Sequence, residues 1–484
     1  MARFSLSSNL DENIAALNAL FENDDTLVTR QLQSANGRRF CMVFLEGMVD
    51  SQLIGLAVVR PLCAATIPEA WHDCQSLIDV VQSDEARALQ ETGEALRALM
   101  LGDLLVLMDG AAGVLMCNAK GGERRGVTEA DSERNLRGPR DSFTESAIVN
   151  FSLIRRRLQT TDLKCEIRTV GRRSNTMVCV CYLEGIADAK ILEELKRRLD
   201  KIDVDGVLES NYIEEYIKDS RYTPFKTVGA TERPDVAAAN LLEGRVLVLV
   251  NNTPMVLSLP FLFAENFQAN DDYYLGPWFS TFGRWLRLLS FLLSTSMPAF
   301  YIAAVCYHNE MIPGILLFNI AKATKNIPFT SVMEAVIMLL IFEILREAGA
   351  RMPTKLGQAL SIVGALILGQ AAVNSGIVSD SMVIVVALSG ITSLMVPRLA
   401  EPAILLRFAY LGAAAVFGLY GLFFGLLAVF IHLVSLSSFG VFYLEGFDAT
   451  RSRHMGDILW RAPLWMMRLR PSFAKDRVRK GEGR

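Results

Sequence analysis

Two stretches decide how this chain is read: Phe40–Asp50, FCMVFLEGMVD, and Val178–Asp188, VCVCYLEGIAD. Each is a run of β-branched, aromatic and other apolar residues that closes on Leu-Glu-Gly and leads into a helical pattern. That is the mark of a buried strand followed by a turn. A second pair follows in the same order. Asp103–Cys117 reads DLLVLMDGAAGVLMC and Arg245–Leu259 reads RVLVLVNNTPMVLSL. Each holds two apolar strands around a turn, Asp109-Gly110 or Asn251-Asn252, residues that tolerate positive φ. Two matches in one order at nearly one offset, about 140 residues, indicate a duplicated α/β unit. Helical patterns agree, with Asp11–Phe21 and Thr144–Leu158 opening the copies and Asp84–Met100 and Ile191–Ile202 filling their middles. The expected organisation is subdomain I over 1–122, a charged linker over 123–143 and subdomain II over 144–283.

Outside the repeat the composition changes. The whole chain of 484 residues is 51% hydrophobic and 21% charged with net charge −3, and its mean hydropathy is +0.29. Near-neutral charge argues against nucleic acid as a partner, which calls for a strong basic excess. The charged fraction excludes both a wholly disordered chain and a pure membrane bundle. The hydropathy is nevertheless too high for an ordinary soluble protein, so two kinds of chain are being averaged. Leu288–Tyr307, Leu356–Ser379, Ser381–Pro397 and Phe408–Leu444 contain no Asp, Glu, Lys or Arg, and Phe329–Leu345 contains only Glu334 and Glu343. A bilayer core takes about 20 apolar residues per helix. The fold class expected is therefore a duplicated α/β cytoplasmic domain followed by an all-α polytopic transmembrane bundle, placed at 284–444, with a basic cytoplasmic tail at 445–484.

Flanking charges orient the bundle. Arg284 and Arg287 precede the first run, Arg346, Arg351 and Lys355 follow the Phe329–Leu345 run, and the tail from Arg461 carries eight Lys or Arg against Asp476 and Glu482. Positive flanks stay cytoplasmic, and the N-terminus shows no apolar export segment, so a multi-pass integral membrane protein with both ends cytoplasmic is expected. The crossing number is then even. A hairpin in Phe408–Leu444, broken near Gly418–Gly421, gives six; a re-entrant Ile312–Ala323 gives four.

No catalytic set is present: the chain has no Walker loop, no HExxH and no CxxC, and its four histidines are far apart in sequence. Cys41, Cys179 and Cys181 fall inside strand patterns and read as buried thiols. Asp203-Val204-Asp205-Gly206 with Glu209 lacks the spacing of a calcium loop and reads as a turn. No cofactor or metal is expected, and the chain is not read as an enzyme. The intramembrane polar candidates are Glu334, Glu343 and Arg346. The two glutamates, nine positions apart, lie on opposite helix faces, and Glu343 is placed to pair with Arg346 one turn on. The run Gln358–Gly376, QALSIVGALILGQAAVNSG, is rich in small residues with interspersed amides. It fits close helix packing, or a narrow pore when repeated around an axis, with Ser361, Val363, Gly364, Gln370 and Asn374 as pore-lining candidates. In the linker, Arg137, Gly138, Pro139 and Arg140 are candidates for an inter-subdomain or subunit contact, although a solvated linker fits the same residues. Arg155-Arg156-Arg157 ends a helix, where basic residues suit the dipole.

Several longer motifs are familiar. Arg137–Leu158 (RGPRDSFTESAIVNFSLIRRRL), Leu208–Glu214 (LESNYIE), Thr231–Val246 (TERPDVAAANLLEGRV), His308–Pro313 (HNEMIP), Phe342–Pro353 (FEILREAGARMP) and Ser361–Ser379 (SIVGALILGQAAVNSGIVS) resemble the GerA family, the A subunits of spore germinant receptors. The resemblance runs from about Asp11 to Pro463. It departs at Asn251-Asn252, where Asp-Gly is usual, at Asn211, where Gly is usual, and over Leu53–Gln90. It implies a membrane subunit of the spore inner membrane that works with a permease-like B subunit and a lipoprotein C subunit. It also implies a homo-oligomer acting as a nutrient-gated ion channel, which favours the pore reading. A non-conducting scaffold subunit, or an accessory channel of a sister branch, are the alternatives; Asn266–Tyr274 and HNEMIP are closer to the receptor branch.

Overall fold

The computed structural model describes residues 6–68, 70–121, 133, 137–325, 327–351, 369–447 and 457–479. The N-terminal half builds two five-stranded sheets. In the first, β1 (Leu27–Gln33), β2 (Arg39–Leu45), β3 (Ala86–Leu89), β4 (Leu104–Met108) and β5 (Val114–Cys117) lie in the order β1-β2-β4-β5-β3. In the second, β6 (Leu163–Val170), β7 (Thr176–Leu183), β8 (Gly229–Thr231), β9 (Val246–Val250) and β10 (Val256–Leu259) lie in the order β6-β7-β9-β10-β8. The chain traces the same path twice, and every pairing is antiparallel.

The repeat extends to single hydrogen bonds. Gly47 and Gly185, which end the two Leu-Glu-Gly turns, have φ of +79° and +83°, where a side chain is strained. The preceding Glu46 and Glu184 amides donate to Thr26 and Asp162 carbonyls at 2.9 and 2.8 Å. Gly110 and Asn252 take the left-handed position of the two β-hairpin turns, so Asn does in the second copy what Gly does in the first. Buried Asn13, on α1 (Leu10–Leu20), donates to the Ser7 carbonyl and accepts its amide. Asn150, on the equivalent Ala147–Arg155 helix, does the same with Thr144.

Helices cover both faces of each sheet, which is why the central strands read as unbroken apolar runs rather than alternating ones. The first copy adds α2 (Ser51–Ala64) and α3 (Thr92–Met100). The second uses α4 (Ala147–Arg155), α5 (Ala189–Leu199), α6 (Ser210–Ile217) and α7 (Pro234–Leu242). Cys41, Cys179 and Cys181 are free and buried in these cores, and burial pushes the Cys41 thiol up to about 11.

The copies join through the edge strand β6. Asp25 N–H donates to the Cys165 carbonyl at 2.9 Å, and Ile167 N–H donates to Asp25 Oδ2 at 2.7 Å. Beneath this seam Arg155 and Asp24 form a fully buried ion pair at 2.5 Å. Arg155 therefore faces inward instead of serving only the helix dipole, while Arg157 pairs with Asp141 at 2.5 Å.

The C-terminal half is helical: α8 (Pro277–Tyr307), α9 (Gly314–Thr324), α10 (Ser331–Arg351), α11 (Asp380–Ser393) and α12 (Ala400–Ser435). α12 is two antiparallel arms, because Gly418 leaves helical geometry with φ 59° and ψ −138°. Gly421 packs on the Ala413 carbonyl and Gly425 on the Tyr410 ring, so the absence of Cβ lets the arms touch. The hairpin tip meets the end of α8, where Tyr307 donates to the Ala415 carbonyl at 2.5 Å. Both arm bases return to the second α/β unit, through Arg398 to the Glu265 carbonyl at 3.3 Å and Ser438 to the Thr227 carbonyl at 2.6 Å. α10 and α11 run antiparallel to α8: Ala335 and Met382 pack near Ile302, whereas Glu343 and Ser389 lie at the level of Ser294.

Candidate functional site

Small residues let α8, α11 and α12 approach closely enough to enclose charge. Ala299 and Ala303 are buried on α8, and Gly390 on α11 lies under the Phe342 ring with no room for a Cβ. At the centre of this contact Arg407, on α12, is 0% exposed. Its Nη1 donates to Glu343 Oε1 at 2.9 Å and its Nε to the Ser294 carbonyl at 2.8 Å. Ser389 Oγ donates to that same carbonyl at 2.8 Å. Glu343 holds a second cation, Arg346, at 2.8 Å, one turn along its own helix. Four helices, α8, α10, α11 and α12, are thus tied around one carboxylate and one guanidinium, a geometry in which the charges compensate one another out of water.

Glu334 occupies a separate position toward the far end of α10. It is buried and accepts from both the amide and the hydroxyl of Ser379, the N-cap residue of α11. A carboxylate at a helix N-terminus gains from the exposed N–H groups and the dipole there. Glu334 and Glu343 therefore have different partners. Gln370 and Asn374 are exposed at the surface of this helical region. Ser361, Val363 and Gly364 lie outside the described residues.

A second charged cluster forms the collar between the α/β units and the helices. Arg284, buried at the start of α8, bonds Asp272 at 3.1 Å, Asp457 at 3.0 Å and the Ile458 carbonyl at 2.9 Å. Arg287 pairs with Asp272 at 2.5 Å, and Tyr273 donates to Asp457 at 2.8 Å. Burial raises the Asp457 carboxyl to about 6, against the opposing pull of Arg284. Beside it, Phe263 stacks edge-on with Phe225, Phe267 and Phe291, joining the loop after β10 to α8. The linker residues bear on this collar. Pro139 accepts from Arg233 at 2.8 Å, Gly138 packs on the Tyr274 ring, and the Arg137 amide reaches Asp271 at 3.5 Å. Arg140 is exposed. These contacts face the second unit and the turn before α8, not the seam between the copies.

Sequence reasoning missed Arg407 because it stands one position outside an uncharged run; its isolation between apolar residues, matched by the isolation of Glu343, was the available signal. It also missed Asp457, which has no local partner in sequence. Among the described residues no three His, Cys, Asp or Glu side chains are grouped to hold a metal.

Residues 15–473 match the Bacillus/Clostridium GerA spore germination protein family. Spore germination protein KA of Bacillus subtilis is 40% identical, over 99% of this chain and 89% of its own length. An uncharacterised B. subtilis membrane protein, YfkQ, is 39% identical over 99% of this chain and 94% of its own. Spore germination protein GerLA of Bacillus cereus is 33% identical over 98% and 97%. A crystal structure of the N-terminal domain of the A subunit of the Bacillus megaterium germinant receptor GerK3 is 32% identical, covering 54% of this chain and 99% of that one, at a TM-score of 0.43. The chain belongs to the GerA family of spore germination proteins.

Proposed function

We propose that this chain is the membrane subunit of a germinant receptor and that copies of it surround a nutrient-gated ion pathway in the spore inner membrane. The observation that carries this reading is the Arg407–Glu343–Arg346 network, enclosed by helices whose outer surface is apolar. Phe417, Tyr420, Phe423, Phe424, Phe430 and Ile431 on α12 are all more than half exposed. Charge inside and large apolar side chains outside is the reverse of a soluble surface and suits a lipid solvent. Each arm of α12 is about 26 Å long, close to the ~30 Å hydrocarbon thickness. α8 and the first arm of α12 run one way and α10, α11 and the second arm the other, which puts both ends on one side and supports the count of six crossings over the count of four. α9 is too short to add a seventh.

Gln370 and Asn374 support assembly. Their amides are exposed on a single copy, and facing lipid they would lose hydrogen bonds worth several kcal/mol each. A water-filled axis between copies satisfies them. The collar supports gating: the loop after β10 holds α8 through the Phe263 and Phe267 rings against Phe291, so a displacement of the second α/β unit is delivered to the helix carrying Ser294. The permease-like B and lipoprotein C subunits of the receptor are the partners that would supply the displacement.

Single-channel recording of the purified protein, alongside its oligomeric mass, tests the reading. Currents of monovalent ions from an assembly larger than one chain are expected. A chain that stays monomeric and passes no monovalent ion even with its partner subunits overturns it. A complex that assembles and never conducts identifies a scaffold instead.

A further inference from the structure

The chain has five tryptophans, and four of them stand either on the first turns of α8, Trp278 and Trp285, or on the C-terminal segment bonded to it, Trp460 and Trp465. They are between 52% and 81% exposed. The fifth, Trp71, packs against the core of the first α/β unit. Trp460 and Trp465 come from the C-terminal segment, which is not a free basic tail. Its Arg461 amide donates to Thr281 on α8 at 3.2 Å, and its Arg461 guanidinium donates to the Tyr273 carbonyl at 3.3 Å. The segment is pinned beside the first turns of α8, level with the last charges before the uncharged run.

Beyond Trp465 the chain closes a short ribbon. Arg470 N–H donates to the Arg477 carbonyl at 2.8 Å and Arg479 N–H to the Arg468 carbonyl at 3.0 Å. The Arg470 guanidinium is consumed internally, by the Leu242 carbonyl at the end of α7 and the Asp476 and Val478 carbonyls. Arg468 and Arg477 differ. They are exposed on the same ribbon, and among the described residues their guanidinium groups have no carboxylate partner.

Exposed indole rings on the first turns of α8 and on the segment pinned there, with guanidinium groups lacking a carboxylate partner further along that segment, have one natural solvent. Indole places an apolar body and an N–H donor at a headgroup layer, and arginine pairs with lipid phosphate. We propose that residues 457–479 form an interfacial segment lying in the headgroup layer of the leaflet next to the α/β units, with Trp460 and Trp465 at the acyl boundary and Arg468 and Arg477 on the phosphates of anionic lipids. The inference rests on the reading that α8 enters a bilayer, and the test separates the two.

Full-length single-tryptophan variants, the other four tryptophans replaced by Phe, are placed in nanodiscs whose acyl chains are brominated near the ester. Trp460 and Trp465 are expected to lose as much emission as Trp285, while Trp71 keeps its intensity. Raising the fraction of phosphatidylglycerol over phosphatidylcholine is expected to deepen the loss at Trp465, and Arg468→Gln with Arg477→Gln to abolish that dependence. If Trp285 is quenched and Trp460 and Trp465 behave like Trp71, the segment is a face for another protein and the proposal fails while the spanning reading stands. If Trp285 is also unquenched, the spanning reading fails with it. Quenching at Trp465 that ignores anionic lipid overturns the role of Arg468 and Arg477.

Discussion

The Arg407–Glu343 pair is the most sensitive point in the helical half, and its two members are not equivalent. Arg407 has one carboxylate, Glu343, and otherwise backbone carbonyls. Glu343 has two cations, because Arg346 reaches its other oxygen. Glu343→Gln strands a fully buried guanidinium, for which about 3–5 kcal/mol is the usual loss. Arg407→Met leaves Glu343 with Arg346, which is 27% exposed, so no charge is stranded; the loss is that of the charged hydrogen bonds to Glu343 and the Ser294 carbonyl, the first alone worth about 1.5–3 kcal/mol. The double variant removes the stranded charge along with its partner, so it is expected to be no worse than Glu343→Gln alone, a coupling of at least about 1.5 kcal/mol. Unfolding of the four proteins of this cycle in one detergent, followed to equilibrium in denaturant, gives all the numbers. Equal single losses that simply add in the double variant would show that the pair is not buried as a unit, and the reasoning would fail.

Other positions give sharper yes-or-no outcomes. Asp24→Asn leaves Arg155 buried without its carboxylate, and about 3–5 kcal/mol should be lost from the unfolding of the α/β units, read in urea. Gly418→Ala forces a side chain into φ 59°, ψ −138° against the Tyr307 ring at 3.0 Å, and about 1–3 kcal/mol of strain should lower the thermal midpoint. Gly412→Ala, which meets open space, should leave the midpoint unchanged or raise it through helix propensity of about 1 kcal/mol. The Asp457 carboxyl rises from its ordinary 3.8 to about 6 when the tail is docked, so the docked state holds the extra proton. Docking is then fully supported below about pH 4, weakens as pH rises to about 6 and is level above that. Hydrogen exchange over 457–479 should track this curve, and Asp457→Asn should flatten it.

How far the chain could be read from its residues depended on whether the deciding interaction was local. Leu-Glu-Gly, Asp109-Gly110 and Asn251-Asn252 announce their turns because the backbone conformation they need selects those residue types. The same logic made Gly418 visible as a break in an apolar run too long for one passage. Strand order was not legible: nothing local says that β4, not β3, lies beside β2. The pairing of Arg155 with Asp24 was hidden twice over, since its partner is 131 positions away and a sufficient local explanation, the helix dipole, was already at hand. Arg461 and Arg470 were hidden in the same manner. Within a tail of eight basic residues they look like their solvated neighbours, yet both are buried and spent on backbone carbonyls. Composition measures the charge of a segment, while its role follows from which guanidinium groups find a partner inside. In the helical half and the tail the internal ones, Arg284, Arg407, Arg461 and Arg470, bind helices, units and tail together, and Arg468 and Arg477 are left over for a partner outside. That division is what makes the C-terminal segment a surface with a function.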